Sequence, residues 1–286
     1  MKKNIVMMAL TTIALISINS CKREFRIKTP YVDGDSSKAY LKVVDAAPFF
    51  RQSTGKPDTF NIFLNNTKVS GTPISYNGQF PQFVNNISPN ITTTYIAVQP
   101  GLTQIKLSAP GKVTPDSIPI TNLTENLIAG RKYTFLITDS LNSPRDSSRI
   151  FIQDPYIAPL EGYVNLRFIN AVYNDTLGKT VDLFSYAKNT TILTKFKPGN
   201  VSAFQLIGYN IQTPDTFYVT RTLGIGVPAT TPLSQRLILA KLAFTLSSGT
   251  SGNAGGAPQR TYTLFYKGDG NLTSGVKARS LGIYAH

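Results

Sequence analysis

Apolar and polar residues alternate along most of the chain after residue 38. This period of two is typical of β-strands that turn one face toward a core. The segments AYLKVVDA at 39–46 and TFNIFL at 59–64 set the pattern. Further strands are predicted at residues 94–98, 103–108, 116–121, 132–138 and 149–153. Turn-forming residues separate these segments, and no amphipathic helix of useful length is found among them.

The strand pattern restarts at residue 162, which indicates an internal repeat. GYVNLRFINA at 162–171 is similar in hydropathy and ending to AYLKVVDAA at 39–47, and VDLF at 181–184 follows it as FNIF followed the first. Each half also ends with an aromatic-rich strand after glycine and then a short closing strand. Short strands at regular spacing favour a sandwich or a barrel, and a repeat of this length predicts two tandem β-sandwich domains. We place them at residues 39–157 and 158–286, joined by the proline-bearing segment 154–161.

The first 21 residues have the order of a secretory signal. Two lysines are followed by an apolar stretch that is too short to span a bilayer, and Ser20 precedes the only cysteine of the chain, Cys21. The segment INSC at 18–21 resembles the lipobox of bacterial lipoproteins, which implies cleavage after Ser20 and acylation of Cys21. Two or more acyl chains anchor a protein lastingly. An ordinary cleaved signal with a chance cysteine and an uncleaved signal anchor are the alternatives. In the lipoprotein interpretation, residues 1–20 are a signal peptide and residues 21–38 are a polar, lipidated tether.

Composition limits the partners that we expect. The formal net charge is +14, but the basic residues are scattered, and no basic-aromatic motif of nucleic-acid-binding proteins is present. We therefore expect no nucleic acid partner, and a mildly basic solvated surface is the plainest interpretation. Contact with anionic lipid headgroups or acidic glycans is the alternative. Without a second cysteine, stability must come from hydrophobic cores rather than disulfides.

Candidate catalytic chemistry is sparse. The only histidine is His286, at the last position of the sequence, so no internal histidine is available for a catalytic triad or a histidine-rich zinc site. Most aspartates stand in turn-like contexts, and none has the spacing of an EF-hand loop. We predict no catalytic residue, no metal site and no cofactor. A hydrolase that uses paired aspartates is a remote alternative.

The tyrosine and phenylalanine residues favour a binding role over a catalytic one, since tyrosine offers an apolar face with a polar tip. Regular strand positions predict that Phe63, Tyr95, Phe135, Phe168 and Phe184 lie in the core. Less regular stretches make other aromatic residues candidates for exposure, namely Tyr31, Tyr76, Phe80, Phe83, Tyr156, Tyr173 and Tyr209. The Gly- and Ser-rich segment 247–258 is predicted to be the end of a hairpin, with a ligand loop as the alternative.

Several segments together resemble the domain of unknown function family 4397 of bacterial envelope proteins. They are AYLKVVDAAP, DTFNIFLNN, VQPGLTQIKL, IAGRKYTFLITD and GYVNLRFINA, which cover much of residues 39–170. The resemblance implies immunoglobulin-like antiparallel β-sandwiches, here two in tandem after the lipoprotein signal peptide, and it transfers no site residues. We therefore expect a non-catalytic, lipid-anchored envelope protein that acts as a structural or interaction module for a protein or polysaccharide partner. A carbohydrate-binding accessory lipoprotein of a glycan-uptake system is the alternative.

The signal and composition also resemble lipoproteins of the Bacteroidota, which implies attachment to the outer membrane. Surface-exposed members carry acidic residues after the lipidated cysteine, whereas Lys22 and Arg23 follow it here, so the periplasmic and extracellular faces both stay open. Three tripeptides resemble the O-glycosylation motif of that group, with Ser117, Ser140 and Thr176 as the acceptor hydroxyls. Ordinary Asp-Ser and Asp-Thr turns are the alternative interpretation.

Overall fold

The strands fall into two consecutive groups along the chain. The computed structural model describes residues 35–49, 58–81, 95–109, 119–139, 149–155, 158–175, 180–208, 215–224, 226–245, 254–255 and 260–286. In these ranges the regular structure consists of β-strands and one 3-10 turn, Leu233–Gln235, so the all-β prediction is confirmed. Residues Asp35–His286 form one compact unit. None of the described residues forms a helix with the length and hydropathy that crossing a membrane requires.

The first group of strands builds two sheets. Its members are β1 (Ala39–Asp45), β2 (Thr59–Leu64), β3 (Thr67–Lys68), β4 (Ile74–Ser75), β5 (Gln79–Phe80), β6 (Ile96–Val98), β7 (Gly101–Ser108), β8 (Pro119–Leu127), β9 (Lys132–Ile137) and β10 (Arg149–Asp154). One sheet has the order β10-β9-β1-β5, with β6 also paired to β1, and the other has the order β3-β2-β7-β8, with β4 paired to β2. We call the first of these the inner sheet of the first half.

The second group repeats this arrangement. Its members are β11 (Tyr163–Asn170), β12 (Val181–Ser185), β13 (Thr190–Phe196), β14 (Gln205–Gly208), β15 (Asp215–Arg221), β16 (Ile238–Thr245), β17 (Ala254–Gly255), β18 (Thr261–Lys267) and β19 (Ser280–Ala285). The inner sheet of the second half has the order β14-β11-β18-β19, and the outer sheet has the order β13-β12-β15-β16-β17.

The two halves share a pairing that the antiparallel expectation did not include. The first strand of each half, β1 or β11, runs parallel to the late aromatic-rich strand, β9 or β18, while the other pairs in the inner sheets are antiparallel. In each half the first strand therefore lies inside the inner sheet, between the late strand and a short strand, β5 or β14. The repeat read from the sequence therefore corresponds to a repeat of topology.

Each half has its own hydrophobic core between its two sheets. In the first half, Leu41 and Phe135 of the inner sheet pack in one cluster with Ile62 and Leu107 of the outer sheet. In the second half, Phe168 and Leu264 share a cluster with residues of β12 and β15 such as Phe217. These are the face-to-face packings of a β-sandwich, in which side chains from the facing sides of the two sheets interdigitate.

A third hydrophobic cluster lies between the two halves. It joins the two inner sheets through the faces that point away from the sandwich cores. It contains Val44, Ala46 and Leu136 from the first half and Ile169, Ala171, Phe265 and Tyr284 from the second. The inner sheets are therefore buried on both faces, and the four sheets stack as outer, inner, inner, outer. Strands buried on both faces read as nearly continuous apolar runs, as in the Val43-Val44 and Phe168-Ile169 pairs.

Some expectations about connections and bounds need correction. The loop at 247–258 does not end a hairpin: β16 belongs to the outer sheet and β18 to the inner sheet, so the segment crosses between sheets. Strand β8 extends to Leu127, well beyond the predicted end at residue 121, and β13, β14 and β15 were not predicted. The division into domains at residues 157 and 158 stays a prediction.

Candidate functional site

The layer between the two inner sheets holds the largest concentration of buried charge among the described residues, and we treat it as the candidate site. Its apolar middle is the third cluster described above. Beside it lies a polar cluster, called here the Asp154 cluster and composed of Lys42, Tyr95, Thr134, Asp154, Arg167, Thr263, Tyr284 and His286. Strands β1, β9 and β10, with Tyr95 just before β6, supply one side of this cluster. Strands β11, β18 and β19, with His286 just after β19, supply the other.

An ion pair that crosses the layer forms the centre of the cluster. Arg167 donates from Nη2 to Oδ1 of Asp154, and both side chains are almost completely buried. Thr134 donates to Oδ2 of the same carboxylate at 2.6 Å, and Tyr95 lies 3.2 Å from that oxygen. The guanidinium also donates from Nε to Thr263 at 3.0 Å. Removing two ions from water is costly, and hydrogen bonds to both oxygens offset that cost.

His286 completes the network with both ring nitrogens. Nδ1 lies 2.9 Å from the hydroxyl of Tyr95, and Nε2 lies 2.8 Å from the hydroxyl of Thr263. Thr263 already accepts from Arg167, so its own proton can go to Nε2, and Nδ1–H then donates to Tyr95. Tyr95 in turn donates to Asp154. This assignment gives each contact a proton and leaves the ring neutral.

The charge around His286 agrees with a neutral ring. Burial lowers the pKa of His286 well below its usual value, and the positive charges of Arg167, Lys42 and Lys132 lower it further. The ring also makes an edge contact with Phe204, at 5.3 Å between centroids. The ring is 2% exposed, and its two nitrogens contact Tyr95 of the first half and Thr263 of the second, so the imidazole links the two halves.

Lys42 contributes a second buried cation to the Asp154 cluster. Its Nζ donates to the carbonyl oxygen of Ala285 at 2.8 Å, and it lies over the rings of Tyr95 and Tyr284 at 4.5 and 5.1 Å. Burial lowers the pKa of Lys42 to about 7, although the nearby Asp154 opposes this shift. Aromatic faces attract a cation that has lost its water, which partly compensates for burial.

The Asp154 cluster has approximate twofold symmetry. In the parallel ladders, Lys42 pairs with Thr134 just as Arg167 pairs with Thr263. Strand β1 therefore aligns with β11 through Lys42 and Arg167. Each of these cations reaches across to the closing strand of the other half, at Asp154 or at Ala285. Such reciprocity is the geometry of an isologous interface, here formed within one chain.

A second polar group, called here the Asp45 cluster, comprises Asp45, Tyr76, Asn77 and Lys267. Asp45 accepts from the backbone N–H of Ala47 at 3.0 Å through Oδ1, while its buried Oδ2 has no hydrogen-bond partner among the described residues. Burial raises the pKa of Asp45 well above its usual range. Lys267 donates to the side chain of Asn77 and lies over the rings of Tyr76 and Phe265. Burial lowers the pKa of Lys267 to about 8.

The outer sheet of the second half carries two features. Asp182 accepts from Thr222 at 2.7 Å and lies 3.8 Å from buried Arg236, whose guanidinium covers the ring of Phe184. Further along this sheet, Tyr186 and Tyr218 form a ring pair with centroids 6.3 Å apart. Tyr186 is 61% exposed, so this pair presents aromatic surface to solvent.

Three of the buried aspartates each lie beside a different arginine. Asp154 pairs with Arg167, Asp175 with Arg221 at 2.7 Å, and Asp182 neighbours Arg236. Each of these three carboxylates therefore has a cationic partner or neighbour. In the described ranges, no group of three His, Cys, Asp or Glu side chains is placed to hold a metal ion.

The residues predicted as modification sites cannot be compared with this geometry. Ser20, Cys21, Ser117, Ser140 and Thr176 all lie outside the described residues.

The predicted core aromatics agree with the structure at Phe63, Phe135, Phe168 and Phe184, which are buried. Tyr95 is half-buried with its hydroxyl in the Asp154 cluster. Among the candidates for exposure, Phe80 is buried, which corrects that prediction, because it pairs with Val43 on β1 and packs in the first core. Tyr76 and Tyr173 are half-buried. The others, Tyr31, Phe83, Tyr156 and Tyr209, lie outside the described residues.

Sequence reasoning missed the Asp154 cluster. Lys42 and Arg167 occupy alternating positions that normally face water, and Asp154 stands at a predicted joint. His286 was noted only as the last residue. One signal was available in the sequence. Val44 is apolar and lies two positions after Lys42, on the same face of the strand, which indicates that this face is also buried.

Comparison with known proteins leaves the chain without an assigned family. No family model matches it, and no curated protein matches it. The resemblance to family 4397 therefore stays an expectation.

Several solved structures are weakly similar to the chain. A "putative cell adhesion protein" from Bacteroides eggerthii is 11% identical, with a TM-score of 0.24, over 88% of this chain and 97% of that one. One of the same description from Bacteroides uniformis is 11% identical, with a TM-score of 0.19, over 88% and 98%. A leucine-rich repeat protein from Bacteroides thetaiotaomicron is 12% identical, with a TM-score of 0.18, over 72% of this chain and 24% of that one. Similarity at this level carries no conclusion about function.

Proposed function

We propose that the protein is a non-catalytic, lipid-anchored protein of the bacterial cell envelope that acts as a structural or interaction module. The observation that carries this proposal is the use of its buried polar groups. Both oxygens of Asp154 and both ring nitrogens of His286 contact other side chains of the layer between the inner sheets. Side chains that in an enzyme would face a substrate here join one sandwich to the other.

The surfaces left for a partner are then the outer sheets and the loops at the edges. A macromolecule that binds there meets a body in which two sandwiches are packed together, so little conformational freedom is lost on binding. A lipid at Cys21 and the tether to residue 38 would hold this body near the outer membrane. The family 4397 resemblance supports the same role, and the partner class is a protein or a polysaccharide.

Carbohydrate binding is the second candidate, and the tyrosine pair on the outer sheet favours it. The rings of Tyr186 and Tyr218 lie beside exposed Lys241 and half-buried Thr216, which provide hydrogen-bonding groups around an aromatic surface. Sugars bind proteins through such combinations of an apolar face and polar neighbours. A pair of rings is a small platform, so this candidate ranks second.

The test is in-cell photo-crosslinking with the full-length protein. A photoreactive amino acid is placed at Lys241 on the outer sheet of the second half, or at Lys106 on β7 of the first half. A matched control carries it at Phe265, inside the layer between the halves. We expect a covalent adduct with an envelope protein or polysaccharide from at least one outer position and none from Phe265. Absence of adducts from both outer positions, with the protein correctly localised, would contradict a binding role.

Purified full-length protein in detergent then separates the two candidates. The carbohydrate candidate requires that polysaccharides from the envelope retard the protein in affinity electrophoresis, and that replacing Tyr186 and Tyr218 by alanine abolishes the retardation. The exposed Tyr163 on β11 provides the matched control, since Tyr163→Ala should leave retardation unchanged. Unchanged mobility of the wild-type protein with every polysaccharide would leave a protein partner as the surviving form of the proposal.

A further inference from the structure

The Asp45 cluster places a buried lysine amine against a side-chain amide that belongs to the other half of the molecule. Lys267 lies on β18 of the second half, while Asn77 lies in the turn between β4 and β5 of the first. Nζ of Lys267 contacts Oδ1 of Asn77. An amine in contact with an amide is the starting arrangement for exchange of the amide nitrogen.

The turn that carries Asn77 is held in one conformation. Asn77 has a φ of 69°, a left-handed conformation that asparagine tolerates better than most residues. Its N–H donates to the carbonyl oxygen of Asp45 at 3.0 Å, and the N–H of Asp45 donates to the carbonyl of Gly78 at 3.0 Å. A Cβ at Gly78 would lie 2.7 Å from the carbonyl oxygen of Ser75, so this position requires glycine. The amide of Asn77 is thus presented to the lysine by a fixed backbone.

Burial of Lys267 favours an uncharged, nucleophilic amine, although the aromatic faces beside its Nζ favour the charged form. The residue is 8% exposed, and its Nζ lies 5.2 and 5.6 Å from the ring centroids of Phe265 and Tyr76. The negative charge of Asp45 opposes the fall in the pKa of Lys267 to about 8 but does not cancel it. At neutral or slightly alkaline pH a useful fraction of the amine is therefore deprotonated, as an attack on a carbonyl carbon requires.

Asp45 supplies a carboxyl group suited to carrying a proton. It is completely buried, its Oδ2 lacks a hydrogen-bond partner among the described residues, and burial raises its pKa well above its usual value, which favours the protonated form. Its backbone is bonded to Asn77 and to Gly78, so it belongs to the same turn as the amide. Asn77 itself is exposed at the surface of this turn, which gives a released small molecule a route to solvent.

From this geometry we propose that Lys267 and Asn77 form an intramolecular isopeptide bond that joins the two sandwiches covalently, with Asp45 as the proton carrier. Neutral Nζ attacks Cγ of Asn77 once the protonated carboxyl of Asp45 has turned its Oδ2, which has no hydrogen-bond partner among the described residues, toward the carbonyl oxygen of Asn77. One proton passes from Nζ through the carboxyl group to Nδ2. The Cγ–Nδ2 bond then breaks and ammonia leaves, while the new Nζ–Cγ amide keeps one N–H. No oxidant, cofactor or water is consumed.

The experiment is a peptide map of the full-length protein isolated from cells. Trypsin cleavage around the two residues should give the segments 69–106 and 261–277 joined as one species, lighter than their sum by one ammonia molecule, with no cleavage after Lys267. Separate peptides, with cleavage after Lys267 in the wild-type protein, would overturn the proposal. This result is obtained from the wild-type protein alone and requires no variant.

Variants then assign the roles of the three residues. Lys267→Arg keeps the positive charge and Asn77→Ala removes the amide, and each should abolish the joined species. Lys241→Met changes an exposed lysine on β16 and should leave it in place. Asp45→Asn removes the titratable proton at nearly constant volume, and we expect the joined species to fall at least tenfold. Complete joining in Asp45→Asn would overturn the role given to Asp45, and joining in Lys267→Arg would overturn the assignment of the bond.

Discussion

Lys42 and Arg167 occupy equivalent positions in the two halves of the chain, and each reaches across the inner layer into the other half. Lys42 ends at the carbonyl of Ala285, and Arg167 ends at the carboxylate of Asp154. The repeat is therefore more than a duplication of sandwiches: the same strand position supplies a cation in both copies. Arg167 forms an ion pair with Asp154, whereas Lys42 donates to a backbone carbonyl and has its pKa lowered to about 7 by burial, so the two should respond differently to pH.

The first prediction concerns this response at Lys42. Its pKa is about 7 in the folded protein and near 10.4 in an unfolded chain, so between these values the unfolded state binds more protons. Stability should therefore rise with pH over this window, by up to about 1.4 kcal/mol per pH unit from this group. Lys42→Met should remove that contribution. Urea unfolding at a series of pH values measures both slopes, and equal slopes in the two proteins would contradict a buried, neutral Lys42.

A second prediction concerns His286, whose signals need no assignment because the chain has one histidine. Nitrogen NMR of full-length protein without added histidines should show a neutral ring at pH 6, with the proton on Nδ1. Burial and the surrounding cations hold its pKa well below 6.5. Since the folded pKa is the lower one, protonation favours the unfolded state and stability is lost as pH falls below about 6.5. A ring that titrates with a midpoint at or above 6.5 would contradict this placement.

How much of this arrangement could be read from the sequence depends on which face of a strand is considered. The period of two in residues 39–46 and 59–64 identifies the face toward each sandwich core, and β1 and β2 agree with it. The same rule assigns Lys42 to solvent, because a single strand carries no information about a second sheet stacked on its other side. The Asp154 cluster depends on that second sheet.

Other misses have local causes. Strands β3, β4 and β5 have two residues each, which is too short for any periodicity. Strand β8 contains Asn122, Glu125 and Asn126, residue types that are depleted in strands. The sequence pattern therefore did not predict the second half of this strand. The connection from β16 to β18 was taken for a hairpin because neighbouring strands in sequence usually pair.

A third prediction tests the apolar middle of the layer. Phe265 is buried there and lies flat over Gly282, where an added Cβ would come within 2.6 Å of its ring. Phe265→Ala should lower the free energy of unfolding by about 3–5 kcal/mol through lost transfer energy and a cavity. The control Val276→Ala, at an 83% exposed residue, should change it by less than about 0.5 kcal/mol. Similar small losses in both variants would mean that the two inner sheets do not pack together.

A fourth prediction concerns the anchor. If Cys21 is acylated, the wild-type protein should incorporate a labelled fatty acid in cells and sediment with membranes. Cys21→Ala should incorporate none and keep its first 20 residues, since lipoprotein processing requires the cysteine. The matched control Ser36→Ala, in the described N-terminal turn, should behave like the wild type. Fatty-acid labelling that persists in Cys21→Ala would contradict the anchor.

The central claim is that two sandwiches are held face to face by a buried ion pair between Asp154 and Arg167. A double-mutant cycle with Asp154→Ala and Arg167→Ala, followed by urea unfolding, tests it most directly. Each single variant should lose about 3–5 kcal/mol, because each leaves a buried charge unpaired. The double variant should lose about 2 kcal/mol less than the sum, whereas a control cycle with Asp154 and Arg236 should be additive. Additivity within about 0.5 kcal/mol for Asp154 and Arg167 would contradict the account.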